Sequence, residues 1–220
     1  MVFMKKKRSC NTHLRKSTNR SLPGSLGRLQ HLQNLISEYQ ETTVDEHKEQ
    51  ILANLANFSY DSRNGPQLRQ LRLVDLFLDC ILEPSSVWFK AAFQSISDLK
   101  VNEAKTRLAE FAIAGLSNLS ASSPLNRQEI LNHEHLPCIV ACAASPNSSV
   151  VVHSLTVLIH LFTHCPNSED SASLETRFPA IIQIAKKYFE SRNQLTDLDP
   201  RIPILSQILL EDCCNSTCPY

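Results

Sequence analysis

At 220 residues, 42% of them apolar, the chain is long enough to bury a sizeable core. Its 22 Lys and Arg balance 22 Asp and Glu, and a formal net charge of zero excludes a generic grip on nucleic-acid backbone. Only 4 glycines disfavour a turn-rich all-β fold and any Gly-rich phosphate loop, and no apolar run reaches the roughly 18–20 residues that span a bilayer.

Residues 1–24 are basic and polar and end in Pro23-Gly24, so a disordered tail is expected there. Within it, Lys5, Lys6, Lys7 and Arg8 form a candidate nuclear-targeting cluster or an arm that touches RNA. An ordinary solvated tail would explain the same residues. No apolar stretch follows this charged start, so a secretory signal is not expected. The 8 cysteines are accordingly read as reduced thiols of the cytosol or nucleus.

From Leu26 the pattern turns helical. Leu29, Leu32, Leu35, Ile36 and Tyr39 recur at three and four residues, which defines one helix face. Thr42-Thr43-Val44-Asp45-Glu46 offers Thr caps and first-turn acids for a second helix, whose apolar stripe is Ile51, Leu52, Leu55 and Phe58. Asp61 to Pro66 reads as a turn cluster with Asn-Gly inside it. Leu71, Val74, Phe77, Leu78 and Ile81 mark a further helix, which Pro84 is expected to close. Later helices are expected over about Glu103–Leu119, Arg127–Leu131, Pro137–Ala143, Val150–Phe162, Thr176–Phe189 and Pro203–Leu210. Sustained period-two alternation is absent, so little or no sheet is expected.

Three helices end in related strings. These are Ala53-Asn54-Leu55-Ala56-Asn57-Phe58, Ala114-Gly115-Leu116-Ser117-Asn118-Leu119 and Thr156-Val157-Leu158-Ile159-His160-Leu161, with a weaker fourth at Ile204-Leu205-Ser206-Gln207-Ile208-Leu209. Leu55, Leu116, Leu158 and Leu205 are separated by 61, 42 and 47 residues. Armadillo and HEAT-type repeats run to about 40–47 residues, so the last two intervals fit. The first is longer by about 19, which places an insertion between Glu83 and Lys105. The expected fold is all-α, an armadillo-type right-handed superhelix of three to four short repeats over residues 25–212, with 213–220 as a C-terminal tail. Such arrays are needed because a single repeat cannot bury its own apolar face, whereas stacked neighbours share a continuous core.

Asn57 and Asn118 occupy one position near the end of the long helix, and His160 and Gln207 take it in the third and fourth strings. In armadillo proteins an asparagine there lies on the concave face, where an amide can serve both the C=O and N–H of an extended ligand. A helix-terminal Asn that satisfies its own chain is the plainer alternative. The places four residues before Asn57 and Asn118 hold Ala53 and Ala114 rather than the tryptophan of import-signal readers. His133 and His135 are expected to be solvated, as is an acidic face made by Asp75 and Asp79. Cys213, Cys214 and Cys218 lack the spacing of a four-ligand zinc site, and no nucleophile elbow or Walker loop is present. Neither enzymatic activity, nor a cofactor, nor a metal is expected.

Gly27-Arg28-Leu29-Gln30-His31-Leu32-Gln33, Glu49 to Phe58, Leu68-Arg69-Gln70-Leu71, Glu110 to Leu119 and the late Ile208-Leu209-Leu210-Glu211-Asp212 together resemble the armadillo repeat-containing protein seven family. That resemblance implies a small nuclear scaffold. Its partner would be an RNA-binding motif protein with an RRM-type domain, serving the minor spliceosome and pre-mRNA splicing. The partner would touch RNA, so this chain would meet the spliceosomal ribonucleoprotein indirectly, with no direct nucleic-acid contact beyond the tail. A peptide-binding adaptor in transport or ubiquitin-dependent pathways is the alternative reading of the same groove. Residues 85–102 depart from the family pattern. Trp88, Ala92, Ile96 and Leu99 have helical spacing, which fits an extra amphipathic helix; a disordered loop or a retained intron translated in frame is the alternative, and the stretch reads better as a lineage insertion or gene-model artefact than as a functional module.

Overall fold

A computed structural model describes residues 24–94, 102–163, 178–193 and 199–212, and the described residues contain helices and no strand. The basic cluster Lys5–Arg8, the C-terminal cysteines, Ile96 and Leu99 lie outside the described residues.

The helices are α1 (Gly24–Glu41), α2 (Asp45–Tyr60), α3 (Gly65–Gln70), α4 (Leu73–Gln94) and α5 (Glu103–Ser122). They continue as α6 (Pro124–Asn132), α7 (Leu136–Cys142), α8 (Ser148–Thr163), α9 (Pro179–Glu190) and α10 (Arg201–Asp212). Two layers result. The long helices α2, α5, α8 and α10 stack in that order, each on its predecessor. Helices α4, α7 and α9 form the second layer, with α4 packed on α5 and α7, α7 on α8, and α9 on α10. The short α3 and α6 each lead from one long helix into the next second-layer helix. Complete three-helix units are therefore α3–α5 and α6–α8, with helix pairs at either end. This is the all-α armadillo-type architecture that the repeated strings imply.

The strings occupy equivalent places. Leu55, Leu116 and Leu158 are all fully buried in the C-terminal halves of their helices, while Leu205 of the weak fourth is only partly covered. Each unit also repeats a buried amide. Asn64 Nδ2 donates to the Phe58 carbonyl at 2.7 Å, and Asn126 Nδ2 donates to the Leu119 carbonyl at 3.2 Å. Both close the C-terminal end of a long helix, where carbonyls lack intrahelical partners. Arg69 Nη1 then donates to Asn126 Oδ1 at 2.8 Å and links one unit to the next.

Three local expectations are corrected. Neither Thr42 nor Thr43 caps α2: Val44 holds that position without a side-chain bond, and the Thr42 hydroxyl accepts from the Val44 N–H instead. Asp61 to Pro66 is not merely a turn, because Ser62–Asn64 form a 3-10 turn that runs into α3, with Pro66 in the first helical turn. Most consequentially, Pro84 does not end its helix. Helix α4 continues to Gln94, so the described part of residues 85–102 up to Gln94 belongs to α4 rather than to a loop or a separate helix. Proline inside a helix costs about 3 kcal/mol. Here the far side of the proline offsets that cost by burial: Pro84, Ser85 and Trp88 are all buried, Trp88 within the main core. The Ser85 hydroxyl donates back to the Leu82 carbonyl at 3.1 Å, and Lys105 Nζ reaches Glu83 from α5 at 2.6 Å.

Candidate partner-binding surface

The four residues singled out from the strings fall on the successive long helices, but their side chains are engaged differently. Asn57 is exposed. Asn118 is half-buried, and its Nδ2 donates to the Ala56 carbonyl of α2 at 3.0 Å. His160 Nδ1 lies 2.9 Å from the Ser120 hydroxyl of α5. Gln207 is exposed and donates to Glu211 at 2.8 Å within its own helix. Thus Asn118 and His160 each reach back to the preceding long helix. The other ends of these helices are tied in the same manner, with Arg107 Nε on Glu49 at 2.7 Å and Asn147 Nδ2 on Glu110 at 3.0 Å. Inter-helix polar bonds of this kind fix the register of stacked repeats, because a slipped helix would leave half-buried donors unpaired.

A second polar cluster joins α4 to the start of α7. His133 is not solvated: Nε2 lies 3.2 Å from Asp75 Oδ1, with the imidazole mostly covered. Asp75 is likewise no free acid, because Arg72 also pairs with it, whereas Asp79 remains exposed. Arg72 itself sits at φ 53°, a left-handed corner between α3 and α4. Glu129 of α6 faces this group. Its Oε2 is buried without a hydrogen-bond partner, and burial, then the nearby Asp75, hold its carboxyl above the usual range. A carboxyl whose pKa is raised by folding costs stability once the pH exceeds the unfolded value. Glu129→Gln is therefore expected to stabilise the chain at pH 7 by less than about 1 kcal/mol, the figure being discounted for partial exposure. The gain should fade as the pH falls through and below the unfolded value, where both states become protonated. Urea unfolding of both proteins at pH 7 and below the unfolded value measures this.

Of the cysteines within the fold, Cys142 is buried and Cys80 and Cys138 are half-buried. Burial pushes the Cys80 thiol up to about 11, and its Sγ lies 3.0 Å from the Tyr39 hydroxyl of α1. Cys142 is fully buried and its thiol is raised further for the same reason. Among the described residues no group of three His, Cys, Asp or Glu is placed to hold a metal ion. None of the described helices is long and apolar enough to cross a membrane.

Two surface concavities among the described residues lie elsewhere, in the second layer. One of about 460 Å³ is lined by Leu82, Phe89, Val140 and Phe178 among others, and one of about 340 Å³ by Phe93, Ala144 and Tyr188 among others. Neither is anticipated by the strings. The signal that could have found them is the spacing of Leu82, Phe89 and Phe93, which puts three large apolar residues on one face of α4. Pro84, whose ring reads as a helix stop, hides that face in the sequence.

No protein-family model matches the chain. One curated relative is armadillo repeat-containing protein 7 of Mus musculus, 52% identical over 67 residues. The match spans 30% of this chain and 34% of that protein's length. Over that stretch the chain is similar to armadillo repeat-containing protein 7, and its helices stack in the armadillo-type arrangement that the repeated strings imply.

Proposed function

We propose that this chain is a non-catalytic scaffold that holds and stabilises a protein partner, an RRM-type RNA-binding motif protein, in minor-spliceosome splicing in the nucleus. The partner class is what the resemblance to the armadillo repeat-containing protein seven family implies, and the balanced charge suits a division of labour in which the partner contacts RNA. One observation favours a dedicated partner over a general peptide reader. Asn118 and His160 spend polar atoms on neighbouring helices, which leaves no row of amides set aside for an extended backbone.

Affinity purification of the intact chain from nuclear extract, followed by mass spectrometry, should recover an RRM protein and minor-spliceosome components. Recovery of no splicing factor would sink the proposal. The combined variant Asn57→Ala with Asn118→Ala separates the two modes of binding. A broad helical interface should keep its partner to within about threefold in affinity, since few interface residues dominate binding. Loss of all binding would instead support the extended-peptide adaptor. Affinity should also vary little with salt; a steep decline would point to direct RNA binding.

A further inference from the structure

The two second-layer concavities follow one another along the same three helices. On α4 their lining runs from Leu82 to Phe93, beside α7 from Pro137 to Ala144, and beside α9 from Phe178 to Tyr188. Leu82 to Phe93 spans about 16 Å of helix, some three turns. Val140, Ala141 and Ile184 are nearly covered and form a floor. Leu82 and Phe93 stand 41% and 40% exposed on the wall, and Phe89 packs against Phe93 at 4.7 Å between ring centroids. These are costly groups to leave in water, each worth about 1.5–3 kcal/mol when fully buried. Among the described residues the charged side chains of the lining are Lys90 and Lys187, one at each concavity, and neither makes an ion pair with a described residue. Lys186 lies beside Lys187, exposed.

From this we infer that the trench between α4, α7 and α9 is a docking groove for an amphipathic helix of a protein partner. Its apolar stripe would lie on Phe89, Phe93 and Val140, and its flanking carboxylates would pair with Lys90 and Lys187. The chemistry argues for that occupant. An apolar floor of this length fits about three helical turns with anchors at i, i+3, i+4 and i+7. A lining whose charges, among the described residues, are two exposed ammonium groups favours acidic flanks. The inference deepens the scaffold proposal and depends on it only for the existence of a partner, since the groove can be probed directly.

The probes are two fluorescein-labelled helical peptides of about 14 residues. They share one Leu stripe and carry either Glu or Lys on the flanks. Fluorescence anisotropy with the full chain should show saturable binding of the Glu peptide, tighter than the Lys peptide by about tenfold or more. Phe89→Asp should weaken the Glu peptide by at least about tenfold, and Lys90→Glu with Lys187→Glu should reverse the preference. Circular dichroism melts check that the variants stay folded; these exposed or half-buried sites should not unfold the chain. Equal binding of the two peptides, no binding, or binding insensitive to these variants would overturn the inference. So would concentration-dependent dimerisation lost in Phe89→Asp, which assigns the face to a second copy, or binding to phosphatidylserine vesicles in place of the peptide. If affinity purification recovers the RRM protein equally with Phe89→Asp, the groove fails while the scaffold proposal stands. If the peptides bind as expected and no splicing factor is recovered, the reverse holds.

Discussion

Trp88→Ala is expected to destabilise the chain by about 3–5 kcal/mol, the usual cost of truncating a buried large aromatic. Trp88 is the only tryptophan and is 4% exposed, a member of the main core despite lying in the stretch that departs from the family pattern. If residues 85–94 were a detachable appendage, the same substitution would change stability by less than about 0.5 kcal/mol. Urea unfolding followed by circular dichroism at the helix minimum distinguishes these outcomes, and that probe does not need the indole. For a chain of this length the melting temperature should fall by roughly 10 °C. Trp88→Phe should restore part of the loss, because it keeps the ring and gives up only some of the buried volume. The consequence reaches beyond the one residue. The segment after Pro84 holds its helix by burial rather than by propensity, so losing the anchor should free it and with it the wall carrying Phe89 and Phe93.

The second large effect is expected at Gly115. This glycine lies mid-helix in α5, where it is unfavourable by about 1 kcal/mol relative to alanine. On an open helix, Gly→Ala would recover that amount. Here a Cβ would overlap Cε2 and Cζ of Phe77, which is fully buried in α4 and has nowhere to go. Overpacking of this kind costs about 1–3 kcal/mol, so Gly115→Ala should destabilise the chain outright, and Gly115→Leu should prevent stable folding. A double-mutant cycle tests the cause. Phe77→Ala alone should cost about 3–5 kcal/mol, but less in the Gly115→Ala background, with a coupling of about 0.5–3 kcal/mol. Additive effects would show that the pair is not in contact as described. The close approach also explains why the second string reads Ala-Gly-Leu where the first reads Ala-Asn-Leu. Asn54 faces solvent, whereas Gly115 receives the ring of the neighbouring layer.

Both predictions turn on how α4 packs into the core, and there the sequence was only half legible. Phe77 and Ile81 announce an apolar face by their spacing, and Gly115 announces a special position by being a glycine inside a strong helical pattern. Nothing in the string says which side chain fills the space it leaves. The same holds for the polar links. Asp75 and Asp79, four residues apart, look alike in sequence, yet Asp75 bonds Arg72 and His133 while Asp79 remains exposed. His133 is 58 residues away from its partner, a separation that local reasoning does not bridge. Asn118 and His160 were legible as equivalent positions but not in their engagement, because their partners Ala56 and Ser120 lie on other helices.

What the sequence determined by itself was the helical class, the stacking unit and its approximate period. Those follow from apolar spacing within helices and from recurring strings, and both are local or periodic properties carried by the order of residues. What only the tertiary structure decided was where a helix ends when propensity and burial disagree. Pro84 reads as a stop because its ring removes one backbone bond, a cost visible in the sequence. The compensating burial of Ser85 and Trp88 arises only once neighbouring repeats are in place, and it outweighs that cost. The groove along α4 follows from the same balance, since its far wall exists only because the helix continues.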